Sequence, residues 1–148
     1  MDARDVILLV GGIAAISLAG PLLALAILKR HLGRRVAAGV DRSSILGEDY
    51  RANFFGVESA GVLQMRGNGA LVLTDTALEF FMAVPSRRFT IPLEEVTGVE
   101  LVRSHLGKTV FRDLLKVSFR RGGAHDSMAW WVPDAAAWRD RIVGRTRG

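Results

Sequence analysis

Cysteine is absent from the chain, which excludes disulfides, thiolate metal sites and cysteine nucleophiles. Histidine is scarce: His31, His105 and His125 are the whole set, and none stands at metal-ligand spacing from another histidine or a carboxylate pair. No metal, cofactor or catalytic residue is therefore expected. The run His125-Asp126-Ser127 does not make a triad, because neighbouring strand residues point to opposite faces; it reads as an exposed polar turn. Gly67-x-Gly69 has no P-loop lysine after it and opens no helix, and the adjacent Glu94-Glu95 reads as a solvated strand end. An enzyme is accordingly not the leading class. The alternative that stays open is a small membrane-bound enzyme, or an enzyme accessory subunit, whose active site leaves no mark in the sequence.

Charge is absent too, over one long stretch. Val6 to Leu28 is a run of 23 residues without a charged side chain, closed by Lys29, Arg30 and His31. As a helix it would extend about 35 Å at 1.5 Å per residue, enough to cross a hydrocarbon core of about 30 Å with some tilt. A cleaved secretory signal fits poorly. Its apolar core would be roughly 7 to 15 residues behind a basic start, whereas this chain opens Met1-Asp2-Ala3-Arg4-Asp5 and stays apolar well past Ser17-Leu18-Ala19. The expectation is an uncleaved, single-pass anchor, kinked at Pro21. Gly11, Ala15 and Ala19 share one helix face, which leaves homo-oligomerisation through the anchor open.

Lysine and arginine beside a membrane helix are retained on the cytoplasmic side. Lys29, Arg30, Arg34 and Arg35 follow the run and only Arg4 precedes it, so the amino terminus is expected outside and the carboxy-terminal domain in the cytoplasm, at the cell (inner) membrane. Residues 1–31 then form the anchor with its basic flank, residues 32–50 a polar, glycine-containing linker whose first part could extend the helix through Arg34, Arg35 and Val36 before Asp41-Arg42-Ser43-Ser44 ends it, and residues 51–148 a single domain.

That domain carries 14 basic against 10 acidic residues in a chain of net charge +5. The excess lacks the aromatic platforms or recognition helix of a nucleic-acid binder, and suits a protein held beside an acidic membrane surface. From Tyr50 onward the apolar residues recur in short stretches with a period of two. Strands are expected at Gly61–Met65, Ala70–Leu73, Ala77–Ala83, Arg87–Ile91, Val96–Val102, Leu114–Phe119 and Ser127–Val132, with Arg66-Gly67-Asn68-Gly69 as the first hairpin turn. Leu78, Phe80 and Met82 share a face, as do Leu115, Val117 and Phe119, while Trp130 and Trp131 face opposite ways. Asp134 is placed to cap a helix on which Ala135, Trp138 and Ile142 form the buried stripe.

The segment Gly69-Ala70-Leu71-Val72-Leu73-Thr74-Asp75-Thr76-Ala77-Leu78-Glu79-Phe80, followed by Ile91-Pro92-Leu93-Glu94-Glu95-Val96, Leu114-Leu115-Lys116-Val117-Ser118-Phe119 and Trp138, resembles GRAM and bacterial PH-like domains over roughly residues 60–145. The resemblance implies a mainly β fold, a bent seven-stranded antiparallel sheet or partly open barrel capped by a C-terminal helix. It also implies a non-enzymatic module that binds anionic phospholipid headgroups or a protein partner. In this chain the first hairpin loop supplies only Arg66 as a cation, and Ala77 stands where the family often has a basic residue, so a phosphoinositide site of the usual kind is not implied. The candidate anionic-ligand patch is instead Arg103, Lys108, Arg112, Arg120 and Arg121, with His105 beside it and Arg87 and Arg88 as weaker candidates. The protein partner is not identified by any motif.

Overall fold

The computed structural model describes residues 2–61 and 66–147, without the side chains of residues 9, 11, 13–16, 18, 109 and 110. A long helix α1 (Ala3–Gly39) leads into seven strands: β1 (Ile45–Val57), β2 (Gly67–Thr74), β3 (Ala77–Met82), β4 (Arg87–Pro92), β5 (Val96–His105), β6 (Lys108–Arg121) and β7 (Ala124–Trp131). Helix α2 (Ala135–Thr146) follows. All pairings are antiparallel, in the order β4-β3-β2-β1-β7-β6-β5. Two runs of hairpins, β1 to β4 and β5 to β7, are thus joined through β1 and β7.

The main core fills the inner face of the bent sheet. Phe54, Phe80, Phe89 and Trp130 meet there with ring centroids 5.1–6.4 Å apart, and Leu78, Met82, Leu115, Val117 and Phe119 complete it. The alternation in β3 and β6 is the one anticipated, and Trp130 is buried while Trp131 is half-exposed. Asp134 accepts a hydrogen bond from the Ala137 amide at 3.0 Å, and Ala135, Trp138 and Ile142 of α2 close the core. Burying an indole such as Trp138 removes on the order of 200 Å² from water, so α2 is part of the domain's stability.

The outer face carries a second core, which overturns the linker expectation. Helix α1 does not stop at the uncharged run; it continues to Gly39 and lies on β2 and β3. Leu32 and Val36, 1% and 2% exposed, pack with Ala70, Val72, Phe81 and Ala83. Residues 45–50 are already strand β1. Strand β3 is consequently buried on both faces. Local polarity suggested a linker because Gly33, Arg34 and Arg35 interrupt the apolar residues, yet Leu32 and Val36 are one helical turn apart and need only a narrow stripe to dock.

Two local expectations also change, and a third falls largely outside the described residues. The strand expected at Gly61–Met65 has residues 62–65 outside the described set. Gly67, Asn68 and Gly69 belong to β2, not to a turn: an added Cβ at Gly69 would lie 2.2 Å from the Phe81 carbonyl oxygen and 2.8 Å from Phe80 Cζ, so this glycine serves close strand approach. Asp126 and Ser127 are buried in β7. Asp126 accepts from the Ser59 amide at 3.0 Å and its hydroxyl at 2.7 Å, and Ser127 donates to Glu58 at 2.6 Å; the polar run fastens the short helical turn Glu58–Ala60 to the sheet.

Candidate functional site

The join between α1 and the sheet is built from charged groups as well as apolar ones. The Arg35 guanidinium donates to the backbone carbonyls of Met82 and Arg87. Arg88 donates twice to the Glu79 carboxylate at 2.9 Å and once to the Gly39 carbonyl at 3.0 Å, while Thr90 donates to Glu79 at 2.7 Å. Phe81 lies beneath both guanidinium groups, 5.9 Å from Arg35 and 5.1 Å from Arg88. Arg88 therefore takes up a carbonyl that the helix end leaves unpaired, and its hydrogen bonds to Glu79 hold its pKa above the ordinary value. Gly39 permits this approach, since a Cβ there would sit 3.0 Å from Arg88 Nη1.

Where α1 begins to lift from the sheet, a cleft of about 430 Å³ opens between the helix and β1, lined by Leu25, Leu28 and Lys29 on one side and Glu48, Asp49, Tyr50 and Arg51 on the other. Four consecutive strand residues cannot all face one cavity in a regular strand. Here the register of β1 on β2 shifts between Asp49 and Ala52, a bulge that sets Tyr50 and Arg51 on the face of Glu48, while Asp49, opposite the core residue Leu71, borders the cleft from the strand edge. The Arg51 amide donates to Asp49 at 2.7 Å and the Tyr50 hydroxyl to Glu48 at 3.1 Å. Burial first, and then the Glu48 carboxylate, push the Tyr50 phenol upward. Arg51 Nε stands 3.5 Å from Asp49, with side-chain exposures of 72% and 15%. The cleft was not legible from the sequence, because its two walls are distant in the chain and its shape depends on the bulge.

The cations expected at the membrane flank divide. Lys29, Arg30 and Arg34 are exposed, but Arg35 is engaged by the sheet and is unavailable to a headgroup layer. The expected basic patch also divides. Arg103, Lys108 and Arg112 lie at the β5–β6 hairpin, where Arg103 stands 3.7 Å from Asp113, whereas Arg120 and Arg121 lie at the other end of β6. Arg121 is drawn over the Phe119 ring at 5.2 Å, and its neighbour Arg120 points to the opposite face. The five residues are not brought into one constellation. His105 is 6% exposed, with Nε2 at 3.2 Å from the Gly56 carbonyl. Its burial depresses the imidazole pKa more than that carbonyl raises it, so it contributes no fixed cation. Among the described residues no cluster of three or more metal-ligating side chains occurs.

No family model matches the chain, and no curated protein matches it in sequence. Solved structures do match. The C-terminal domain of an unknown protein from Leishmania infantum is 12% identical over 71% of this chain and 85% of that one, with a TM-score of 0.52. A chain of the 8S snRNP assembly intermediate is 8% identical over 72% and 85%, at 0.56. The Vps36 N-terminal PH domain is 13% identical over 73% and 83%, at 0.53. The fold is PH-like. At these identities the likeness is one of architecture, seven antiparallel strands and a closing helix.

Proposed function

We propose that this chain is a single-pass membrane protein whose PH-like, GRAM-like domain is a non-enzymatic binding module for anionic lipid headgroups, mounted on the cytoplasmic face of the membrane. The observation that carries the reading is the division of α1. Its first part bears Ile7, Leu8, Val10, Leu22, Leu23, Leu25 and Ile27 at 60–74% exposure, within a run free of charge; its last part is docked on the sheet. Among the described residues no helix is long and apolar enough to cross a membrane, and residues 9, 11, 13–16 and 18 of the run, including two of the three small residues on the candidate oligomer face, lie outside that description. The uncharged sequence of the run, the exposure of its described large apolar side chains, and Lys29, Arg30 and Arg34 beyond it support the crossing.

Docking changes what such an anchor does. Leu32 lies four residues beyond Leu28, about 6 Å along the helix axis, a distance similar to one headgroup layer. The domain would be held against the bilayer surface in one orientation, not swung on a tether. Exposed cations within a Debye length of about 8 Å then each gain on the order of 1 kcal/mol from anionic lipid. The test is fractionation of the full chain after an alkaline carbonate wash, with protease protection of a tag at each end. Retention in the membrane with the carboxy-terminal tag on the cytoplasmic side supports the reading. Recovery of the intact chain in a detergent-free soluble fraction overturns it.

A further inference from the structure

We propose that the cleft between α1 and β1 is a binding site for a phospholipid whose headgroup carries a primary ammonium beside its phosphate. The inference rests on the membrane reading above and adds to the anionic surface contact a second, zwitterionic lipid held beside the helix. With the uncharged run in the bilayer, Leu25 and Leu28 form the last apolar turn and Lys29 begins the headgroup level, so the cleft opens where the glycerol and headgroup of a lipid in that leaflet lie.

Its chemistry is two-signed. The apolar wall of Leu25 and Leu28 suits the upper acyl chains; Lys29 and Arg51 suit a phosphodiester; Glu48 and Asp49, with the Tyr50 hydroxyl, suit a cationic hydrogen-bond donor. A purely anionic headgroup brings no cation to these carboxylates, and at most neutral hydroxyl donors. A trimethylated ammonium would bring charge but no N–H. A primary ammonium supplies both, and the volume of about 430 Å³ falls in the range of small-ligand sites. Three of the groups share a face, since Glu48 stands opposite Val72 and the register shift after Asp49 sets Tyr50 and Arg51 together opposite Ala70; Asp49 lines the cleft from the strand edge. The internal pairings leave capacity: Arg51 is mostly exposed beside Asp49, and Glu48 is exposed to solvent.

The experiment is native mass spectrometry of the full chain, purified in mild detergent and offered phosphatidylethanolamine, phosphatidylcholine or phosphatidylglycerol in equal amounts. Retention of phosphatidylethanolamine about tenfold above phosphatidylcholine is expected, one charge-assisted hydrogen bond's worth of discrimination, while phosphatidylglycerol reports the exposed cations of the domain. The double variant Glu48→Gln, Asp49→Asn should reduce that preference to near parity, with unchanged near-ultraviolet circular dichroism. Leu28→Trp, which fills the cleft and leaves both carboxylates in place, should lower retention of the ethanolamine and choline lipids. Equal retention of the ethanolamine and choline lipids, or a preference between them that survives the carboxylate variants, overturns the assignment. A chain that sits in washed membranes yet shows no headgroup preference refutes the cleft alone, whereas a chain absent from membranes refutes the anchor and the cleft together.

Discussion

Replacing Leu32 by Ala separates a docked helix from a linker. Leu32 is 1% exposed and touches the group formed by Val36, Ala70, Val72, Phe81 and Ala83. Truncating a fully buried leucine costs roughly 2.7–5.0 kcal/mol, depending on how far the cavity collapses. Here one wall is a helix lying on the outer face of the sheet and able to settle inward, so the low end applies, about 2–3 kcal/mol. Helix propensity does not confuse the result, because alanine is the stronger helix former and would by itself stabilise α1. A residue in a solvated linker would change stability by no more than about 0.5 kcal/mol. Urea unfolding of the full chain in mild detergent, followed through the fluorescence of Trp130 and Trp138, measures the difference. With a slope of about 2 kcal/mol per molar, the midpoint should fall by roughly 1–1.5 M. Leu22→Ala, at a position 68% exposed, is the control and should leave the midpoint unchanged. If α1 detaches locally before the domain unfolds, the same loss appears as faster trypsin cleavage after Arg34 and Arg35, by about thirtyfold or more. An unchanged midpoint together with an unchanged cleavage rate would refute the docked helix.

Other outcomes follow from single contacts. Gly69→Ala places a Cβ against the Phe81 carbonyl at 2.2 Å and should cost more than about 3 kcal/mol, seen as loss of soluble, cooperatively melting protein in detergent; a midpoint within 2 °C of the parent would contradict it. Asp134→Ala removes the cap of α2 and should lower stability by about 1 kcal/mol in the same urea assay, with Asp134→Asn recovering most of it. His105 has a depressed pKa in the fold, chiefly through burial. The unfolded chain therefore binds its proton first, so this contribution is complete above about pH 6.5 and is lost as pH falls toward the folded value. His105→Gln should flatten the stability profile between pH 5 and 7, and an identical slope would show that His105 is not responsible. Asp126 acts lower on the scale. Burial raises its pKa, but the hydrogen bonds from Ser59 and Ser127 outweigh that and hold it down, so its contribution is present above the ordinary carboxylate value and lost as pH falls through the folded one. Asp126→Asn should remove that acid-limb loss.

What could be read from residue order was whatever a local period writes down. The alternation of Leu78, Phe80 and Met82, that of Leu115, Val117 and Phe119, the opposed pair Trp130 and Trp131, and the stripe of Ala135, Trp138 and Ile142 each depend on neighbours a few positions away, and each fixes which face is apolar before any partner is known. The uncharged run from Val6 to Leu28 is of the same kind. Strand β1 was missed because Gly47, Glu48, Asp49, Arg51 and Asn53 dilute its apolar residues and its register shifts break the period. Tertiary structure alone decided that Arg35 binds a carbonyl 47 residues away and Arg88 one 49 residues away, that Gly69 serves a close approach and not a turn, and that Leu28 and Tyr50 face each other across a cleft. These are contacts between segments whose separation the chain must first close, and a side chain's own type does not say what will stand opposite it.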